Sequence, residues 1–108
     1  MALIPARAGS KGLKNKNLLP FGKNVLFGLG NNYYMIQDFK GAIEAYLLSM
    51  QYFDIDYSIT FNVGLCFYFL MDLKNALHYF LKAQELDDTE SVREWISNTQ
   101  KEIDSHNE

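Results

Sequence analysis

Apolar side chains recur three or four positions apart from residue 24 to residue 104, which is the spacing of one face of an α-helix. The first such face contains Leu26, Leu29, Tyr33 and Ile36. Short polar segments such as Gln37-Asp38 interrupt the pattern and mark turns. The pattern predicts an all-α fold of five helices, at 24–36, 40–53, 57–70, 74–87 and 91–104, with residues 1–22 extended or irregular and residues 105–108 frayed.

The pattern around Leu29-Gly30 returns at Val63-Gly64 without a gap. The shift that takes Leu29 to Val63, named here the repeat shift, also aligns Tyr33-Tyr34 with Phe67-Tyr68, Asp38 with Asp72, Ala42 with Ala76, and Tyr46 with Phe80. Small residues such as Gly30 and Ala42 stand where two helices must cross closely. The repeat therefore predicts two tandem helical hairpins, at 23–56 and 57–90.

Residues 91–104 predict a last, amphipathic helix. Its apolar stripe is Val92, Trp95, Ile96, Thr99 and Ile103, and its outward positions are Ser97, Asn98, Gln100, Lys101, Glu102 and Asp104. A helix of this kind shields the final unit of a helical repeat from water, so we expect it to act as a capping helix.

The repeat resembles the tetratricopeptide repeat family. The family order of Leu-Gly, then Tyr, then Ala with an aromatic residue four positions later reads here as Leu29-Gly30, Tyr33, Ala42 and Tyr46. The chain departs from the family where Leu26 and Thr60 replace the usual tryptophan, and where Asp54 and Asp88 replace the closing proline. The resemblance implies an α-α superhelix that acts as a non-catalytic protein–protein interaction scaffold.

In this family the first helix of each hairpin lines a concave groove. By resemblance, the partner-binding residues of the groove would be Phe27, Asn31, Tyr34, Phe61, Asn62, Leu65, Tyr68 and Phe69. Such an exposed aromatic strip rarely stays uncovered in a monomer. Three occupants remain open: a partner peptide or helix, a second copy of the chain, or internal cover by the capping helix or the N-terminal arm.

Some family members bind a C-terminal carboxylate through lysine and asparagine side chains. Asn31 and Asn62 stand at the asparagine positions of that clamp. Phe27 occupies the expected lysine position, and Val92 and Ile96 stand where cations of a third repeat would lie. We therefore do not expect a carboxylate clamp.

Charge divides the chain into two parts. Residues 1–23 carry five basic residues and no acidic residue, whereas residues 24–108 carry a net charge of −8. An acidic body argues against nucleic acid as the partner, because phosphate contacts need clustered cations. No apolar run is long enough to span a membrane, and the lone Cys66 favours a reducing compartment, so we expect a cytoplasmic protein. Two repeats are few for a helical array, which makes a homodimer a further possibility.

The basic N-terminus carries Ile4-Pro5-Ala6-Arg7, Gly9-Ser10-Lys11, Lys16-Asn17-Leu18 and Gly22. These elements closely resemble the opening of the acylneuraminate cytidylyltransferases, which activate sialic acids with CTP. By resemblance, the nucleotide-binding residues would be Arg7, Ser10, Lys11, Lys16 and Asn17. The family needs a full α/β domain, for which the remaining residues leave no room. Residues 1–22 are then a fusion remnant, a truncated gene product or a leader, or else a vestigial anion-binding arm in sialic acid activation.

No other chemistry stands out in the sequence. Cys66 lies between Leu65 and Phe67 on a predicted helix and is expected to be a small buried residue. His78 and His106 are not spaced as metal ligands, and no nucleophile–base set is visible. We expect no catalytic residue, no metal site and no cofactor, and hence a protein that is not an enzyme.

Overall fold

The computed structural model describes residues 22–106. Five α-helices follow one another: α1 (Lys23–Met35), α2 (Phe39–Tyr52), α3 (Tyr57–Phe69), α4 (Leu73–Leu86) and α5 (Glu90–His106). Residues 22–106 contain no β-strand, so the predicted all-α class is confirmed.

Each helix begins and ends within two residues of its predicted bounds. The largest difference is at the end of α5, which continues through Ser105 and His106, where fraying was predicted. The apolar stripe used for the prediction ends at Ile103, whereas backbone hydrogen bonding carries a helix past its last buried side chain. The extended or irregular structure predicted for the N-terminus falls on residues outside the described part.

The turns after α1 and α3 are copies of each other. Gln37 and Met71 take left-handed backbone conformations, with φ of 66° and 65°. The amide of Asp38 then donates to the carbonyl of Tyr33 at 2.8 Å, and the amide of Asp72 donates to that of Phe67 at 2.9 Å. This pairing ends a helix by satisfying carbonyls of its last turn. Both hairpins therefore reverse direction by the same backbone device.

Side-chain caps start the helices that follow these turns and loops. The accepting carboxylates and their donors are Asp38 with the Gly41 amide at 3.0 Å, Asp56 with the Ile59 amide at 2.9 Å, and Asp72 with the Asn75 amide at 3.4 Å. Thr89 Oγ1 accepts from the Val92 amide at 3.1 Å near the start of α5. A cap satisfies an amide that has no partner within its own helix. The helix starts are thus determined locally by the sequence.

A ring lying on a glycine joins the two helices of each hairpin. The Tyr46 ring of α2 lies over Gly30 of α1, and the Phe80 ring of α4 lies over Gly64 of α3. A Cβ atom at Gly30 would stand 2.6 Å from Tyr46 Cδ1, and one at Gly64 would stand 2.7 Å from Phe80 Cδ1. Both rings are fully buried. The missing side chain is therefore what lets the second helix approach the first.

The core forms in two clusters along the chain. The first lies between α2 and α3 and consists of Ala42, Ile43, Tyr46, Ile59, Val63 and Cys66. The second lies between α4 and α5 and consists of Ala76, Phe80, Ala83 and Val92. Helices α3 and α5 thus each pack on the hairpin that precedes them.

Helix α5 keeps this arrangement with a one-residue offset. The loop between α4 and α5 is 87–89, one residue shorter than the loop 53–56 between α2 and α3. Val92 and Thr99 of α5 are fully buried, as are Ile59 and Cys66, which correspond to them when the repeat shift is shortened by one residue. Outward residues of α5, such as those at 97 and 100, are exposed. Helix α5 therefore occupies the position that the first helix of a third hairpin would take, and its outer face is polar.

Substituting the glycines beneath the rings tests this packing. Gly30→Ala and Gly64→Ala should each lower the free energy of unfolding by about 1–3 kcal/mol, because the new methyl group meets a ring that has no room to move. Gly28→Ala is the matched control on α1, since a Cβ there meets nothing within 4 Å. It should be neutral or add up to about 1 kcal/mol from helix propensity. Denaturant unfolding measures all three, and equal effects at the three positions would contradict the packing.

Candidate functional site

The eight residues predicted to line the groove lie on α1 and α3, and most are half-buried. Phe27, Asn31, Tyr34, Phe61, Asn62, Leu65 and Tyr68 have intermediate exposure, and Phe69 is 45% exposed. Phe27 leans on the Tyr46 ring, with centroids 5.9 Å apart, and Phe61 leans on the Phe80 ring at 5.5 Å. The strip is therefore less open than its sequence suggests, because its rings also pack on the second helices.

Five aromatic side chains form a continuous network across four helices. These residues, named here the aromatic network, are Tyr34, Phe39, Tyr68, Phe69 and Trp95. Phe69 is the centre: its ring stacks on Phe39 at 5.3 Å and meets Tyr34 at 6.3 Å, Tyr68 at 5.8 Å and Trp95 at 6.3 Å. Tyr34 meets Phe39 edge-on at 5.5 Å, and Tyr68 meets Trp95 edge-on at 5.1 Å. Such pairs hold one another in a defined geometry.

Sequence reasoning missed two members of this network. Phe39 precedes the predicted helix 40–53, but it is the first residue of α2, one position after the Asp38 cap. Trp95 was expected only in the apolar stripe of the capping helix, yet it contacts Tyr68 and Phe69. The one-residue offset of α5 could have predicted this position of Trp95, because with that offset Trp95 corresponds to Asn62 of the predicted groove.

Exposed apolar side chains also lie at the turn end of the hairpins. Met35 is 78% exposed, Met71 is 57% exposed, and Leu70 is 37% exposed. Met35 and Phe69 are the last residues of α1 and α3, and the repeat shift takes one to the other. The first helix of each hairpin therefore ends on an exposed apolar side chain next to its turn.

A buried phenol forms the polar part of the site. The Tyr46 hydroxyl of α2 donates to Asn31 Oδ1 of α1. Burial raises the pKa of Tyr46 to about 12, the neighbouring Cys66 thiol adds to the rise, and a hydrogen bond with Asn62 of α3 opposes it. The neutral Tyr46 phenol thus orients Asn31, one of the two asparagines at the positions of a carboxylate clamp.

The second hairpin replaces this polar pair with an apolar one. The repeat shift takes Asn31 to Leu65 and Tyr46 to Phe80. A hydroxyl and its acceptor are lost together, so neither hairpin leaves a buried polar group alone at this place. The two hairpins therefore share the ring packing and differ in polarity.

Cys66 is fully buried in the cluster between α2 and α3. Burial raises the pKa of its thiol to about 12, and burial followed by the Cys66 thiol raises the pKa of Tyr34. A thiol held protonated is a weak nucleophile. Cys66 therefore serves packing in this structure, as the sequence predicts.

Other surface features lie outside the predicted groove. An open depression of about 410 Å³ is lined by Met71, Asp72, Leu73, Lys74, Ile103 and His106. His78 is exposed beside Tyr79, and His106 lies 3.6 Å from Glu102. Within residues 22–106 no three metal-ligating side chains gather, and none of the helices there has the length and hydrophobicity to cross a membrane.

Comparison with known proteins finds one family on this chain. The family described as cytidylyltransferase matches residues 1–29. The match covers about a quarter of the chain and continues beyond Gly22, the last residue of the motif elements that carry the sequence resemblance. It overlaps the first part of α1, including the buried Leu26. The predicted nucleotide residues Arg7, Ser10, Lys11, Lys16 and Asn17 fall within the match but outside the described residues. No curated protein matches the chain.

A double-mutant cycle tests the polar pair. Tyr46→Phe should lower the free energy of unfolding by about 1–3 kcal/mol, because Asn31 loses its donor in a half-buried place. Adding Asn31→Leu should recover part of that loss, since Leu65 and Phe80 already form this pair in the second hairpin. Denaturant unfolding of the two single variants and the double variant gives the coupling energy. Strictly additive effects would contradict the hydrogen bond.

The raised pKa values predict a loss of stability at alkaline pH. On folding, the pKa of the Cys66 thiol rises from 9.0 to about 12, and the pKa of Tyr46 rises from 10.0 to about 12. Above pH 9 the unfolded chain therefore releases protons that the folded chain keeps, so the free energy of unfolding falls as pH rises from 9 toward 12. Cys66→Ala should delay the onset to about pH 10, where tyrosine begins to titrate in the unfolded chain. Identical pH profiles for the two proteins would rule out this role of the thiol.

Proposed function

We propose that the chain is a tetratricopeptide-type scaffold that binds the apolar face of a partner helix or peptide across the aromatic network, without catalysing a reaction. The repeat supports this proposal, because helix bounds, turn conformation and ring-on-glycine contacts all recur under the repeat shift. The observation that carries the binding role is Phe69, which is 45% exposed among four other aromatic rings. Large, rigid aromatic side chains are the usual anchors of protein interfaces.

The composition of the surface favours an apolar ligand. Neither the aromatic network nor the exposed Met35, Leu70 and Met71 at the turns carries a formal charge. A peptide that depends on a carboxylate would find Asn31 and Asn62 but no cation among the predicted groove residues. Methionine side chains adapt to different apolar shapes, which suits a groove that receives a helix. The preferred ligand is therefore an amphipathic segment with aromatic or branched apolar residues.

Selection from a peptide library against the whole chain tests this proposal. Peptides enriched on the wild-type protein should be rich in apolar residues, and Phe69→Asp should weaken their binding by at least about tenfold, because a hot-spot side chain is lost. Leu81→Asp is the matched control, since Leu81 is 42% exposed on α4 and lies outside the aromatic network. Circular dichroism checks that both variants keep their helicity.

Phe69 is a better probe than Phe27 or Phe61. Those two rings lean on the buried Tyr46 and Phe80 rings, so a charge there would also disturb the core. Enriched peptides that bind Phe69→Asp as tightly as the wild type, or that perturb resonances away from the aromatic network, would sink the proposal.

The cytidylyltransferase match favours a second candidate function. An arm that keeps Arg7, Ser10, Lys11, Lys16 and Asn17 has the residues that resemble a triphosphate-binding loop, and it would serve as an accessory in sialic acid activation. Titration of the full chain with CTP and magnesium tests it. Saturable shifts of the Arg7 and Lys11 resonances, lost in Arg7→Ala, would support this function, and linear or absent shifts would exclude it.

A further inference from the structure

The first helix of a hairpin packs one face against the hairpin that precedes it. In α3 this face is apolar and buried. Ile59, Val63 and Cys66 lie on this face, and none is more than 1% exposed. They pack with Ala42, Ile43 and Tyr46 of α2. In α5 the corresponding Val92 and Thr99 are fully buried, and Ile96 packs against the cluster that α4 contributes. This face is thus an established interface, used twice within the chain.

The same face of α1 has no hairpin before it within the described residues. Its positions are Val25, Leu29, Asn32 and Ile36, named here the end face, and the repeat shift takes them to Ile59, Val63, Cys66 and Leu70 of the second hairpin. Val25 is 58% exposed, whereas the corresponding Ile59 is buried. Ile36 is 71% exposed, whereas the corresponding Leu70 is 37% exposed. Between them, Leu29 is half-buried and the polar Asn32 is exposed. The two apolar ends of the stripe, Val25 and Ile36, are therefore exposed in the described structure.

The opposite end of the molecule is closed to further stacking. In α3 the face that receives the second helix of its hairpin carries Thr60, Gly64 and Phe67. With the one-residue offset, α5 carries Arg93, Ser97 and Gln100 at these positions, and all three are exposed. Stacking the end face of one copy on α5 of another would bury the Arg93 charge and its 3.0 Å ion pair with Asp88. Head-to-tail assembly is therefore disfavoured.

The spacing of the end face instead allows it to pair with a second copy of itself. Its four positions are separated by four, three and four residues, so the stripe reads the same in both directions along α1. Two antiparallel copies would pair Val25 with Ile36 of the second copy, and Leu29 with Asn32. Residues 24–37 include no charged side chain, so this pairing buries no charge. A patch that meets its own copy is the arrangement that two-fold symmetry requires.

We propose that the end face joins two copies of the chain in a two-fold dimer in which the α1 helices run antiparallel. The proposal is independent of the groove, because Phe27, Asn31 and Tyr34 project from a different side of α1 than Val25, Leu29 and Asn32. The aromatic networks of the two copies stay open in this dimer. Each dimer then presents two partner-binding surfaces.

Analytical ultracentrifugation of the full chain, from micromolar to millimolar concentration, tests the proposal. The wild type should show a monomer–dimer equilibrium. Val25→Asp and Ile36→Asp should each raise the dissociation constant by at least about tenfold, because each would bury an uncompensated carboxylate. Ile55→Asp is the control: Ile55 is 48% exposed in the loop between α2 and α3, and its replacement should leave the equilibrium unchanged. The Phe69→Asp groove variant should likewise still dimerise.

Cross-linking tests the symmetry. In the antiparallel arrangement the two Asn32 positions lie close to the two-fold axis, so Asn32→Cys should form a covalent dimer on mild oxidation while the buried Cys66 does not react. Ser97→Cys on α5 should remain monomeric under the same conditions. A monomer at every concentration, a dimer that Val25→Asp does not weaken, or faster cross-linking of Ser97→Cys would each overturn the proposal. So would a monomer that Val25→Asp destabilises, since another part of the chain would then cover the end face.

Discussion

The contact of an aromatic ring with a glycine backbone is the interaction on which this structure depends. Tyr46 lies on Gly30 and Phe80 lies on Gly64, and each ring is fully buried. The absence of a Cβ brings the two helices of a hairpin close together, while the large ring supplies the buried apolar area that holds them. Because both contacts occur at the same place in their hairpins, they give the two hairpins a common geometry, and the turns and caps follow at matching positions.

That geometry decides which surfaces of the first helices remain exposed. The first helix of a hairpin turns its glycine side toward the second helix of the same hairpin. A second side of the first helix then meets the preceding hairpin, and a third side remains exposed. On α3 the second side is buried through Ile59 and Val63, and the third side presents Phe69. On α1 the second side stays exposed through Val25. The groove and the end face are thus both consequences of one helix orientation.

Much of the fold could be predicted from the sequence because helix period, repeat length and turn signals are local. The apolar spacing and the repeat shift place α1 to α4 within one residue of their observed bounds. The aromatic network was less predictable, because it depends on tertiary contacts. Phe39 reads as a turn residue until α2 is seen to begin there, and Trp95 joins the aromatic network only because one residue is missing from the loop before α5. Phe27 is half-buried because its ring packs against Tyr46, a contact that cannot be predicted from the spacing of apolar residues.

The most direct test of this account is nuclear Overhauser spectroscopy between the glycine protons and the ring protons. The account predicts strong cross-peaks from Gly30 Hα to the Tyr46 ring and from Gly64 Hα to the Phe80 ring, with both glycine signals shifted upfield by the rings above them. Two equivalent sets of cross-peaks would establish that the hairpins are built on the same contact. Absence of either set, with the helices otherwise formed, would contradict the repeat architecture and the two proposals that rest on it.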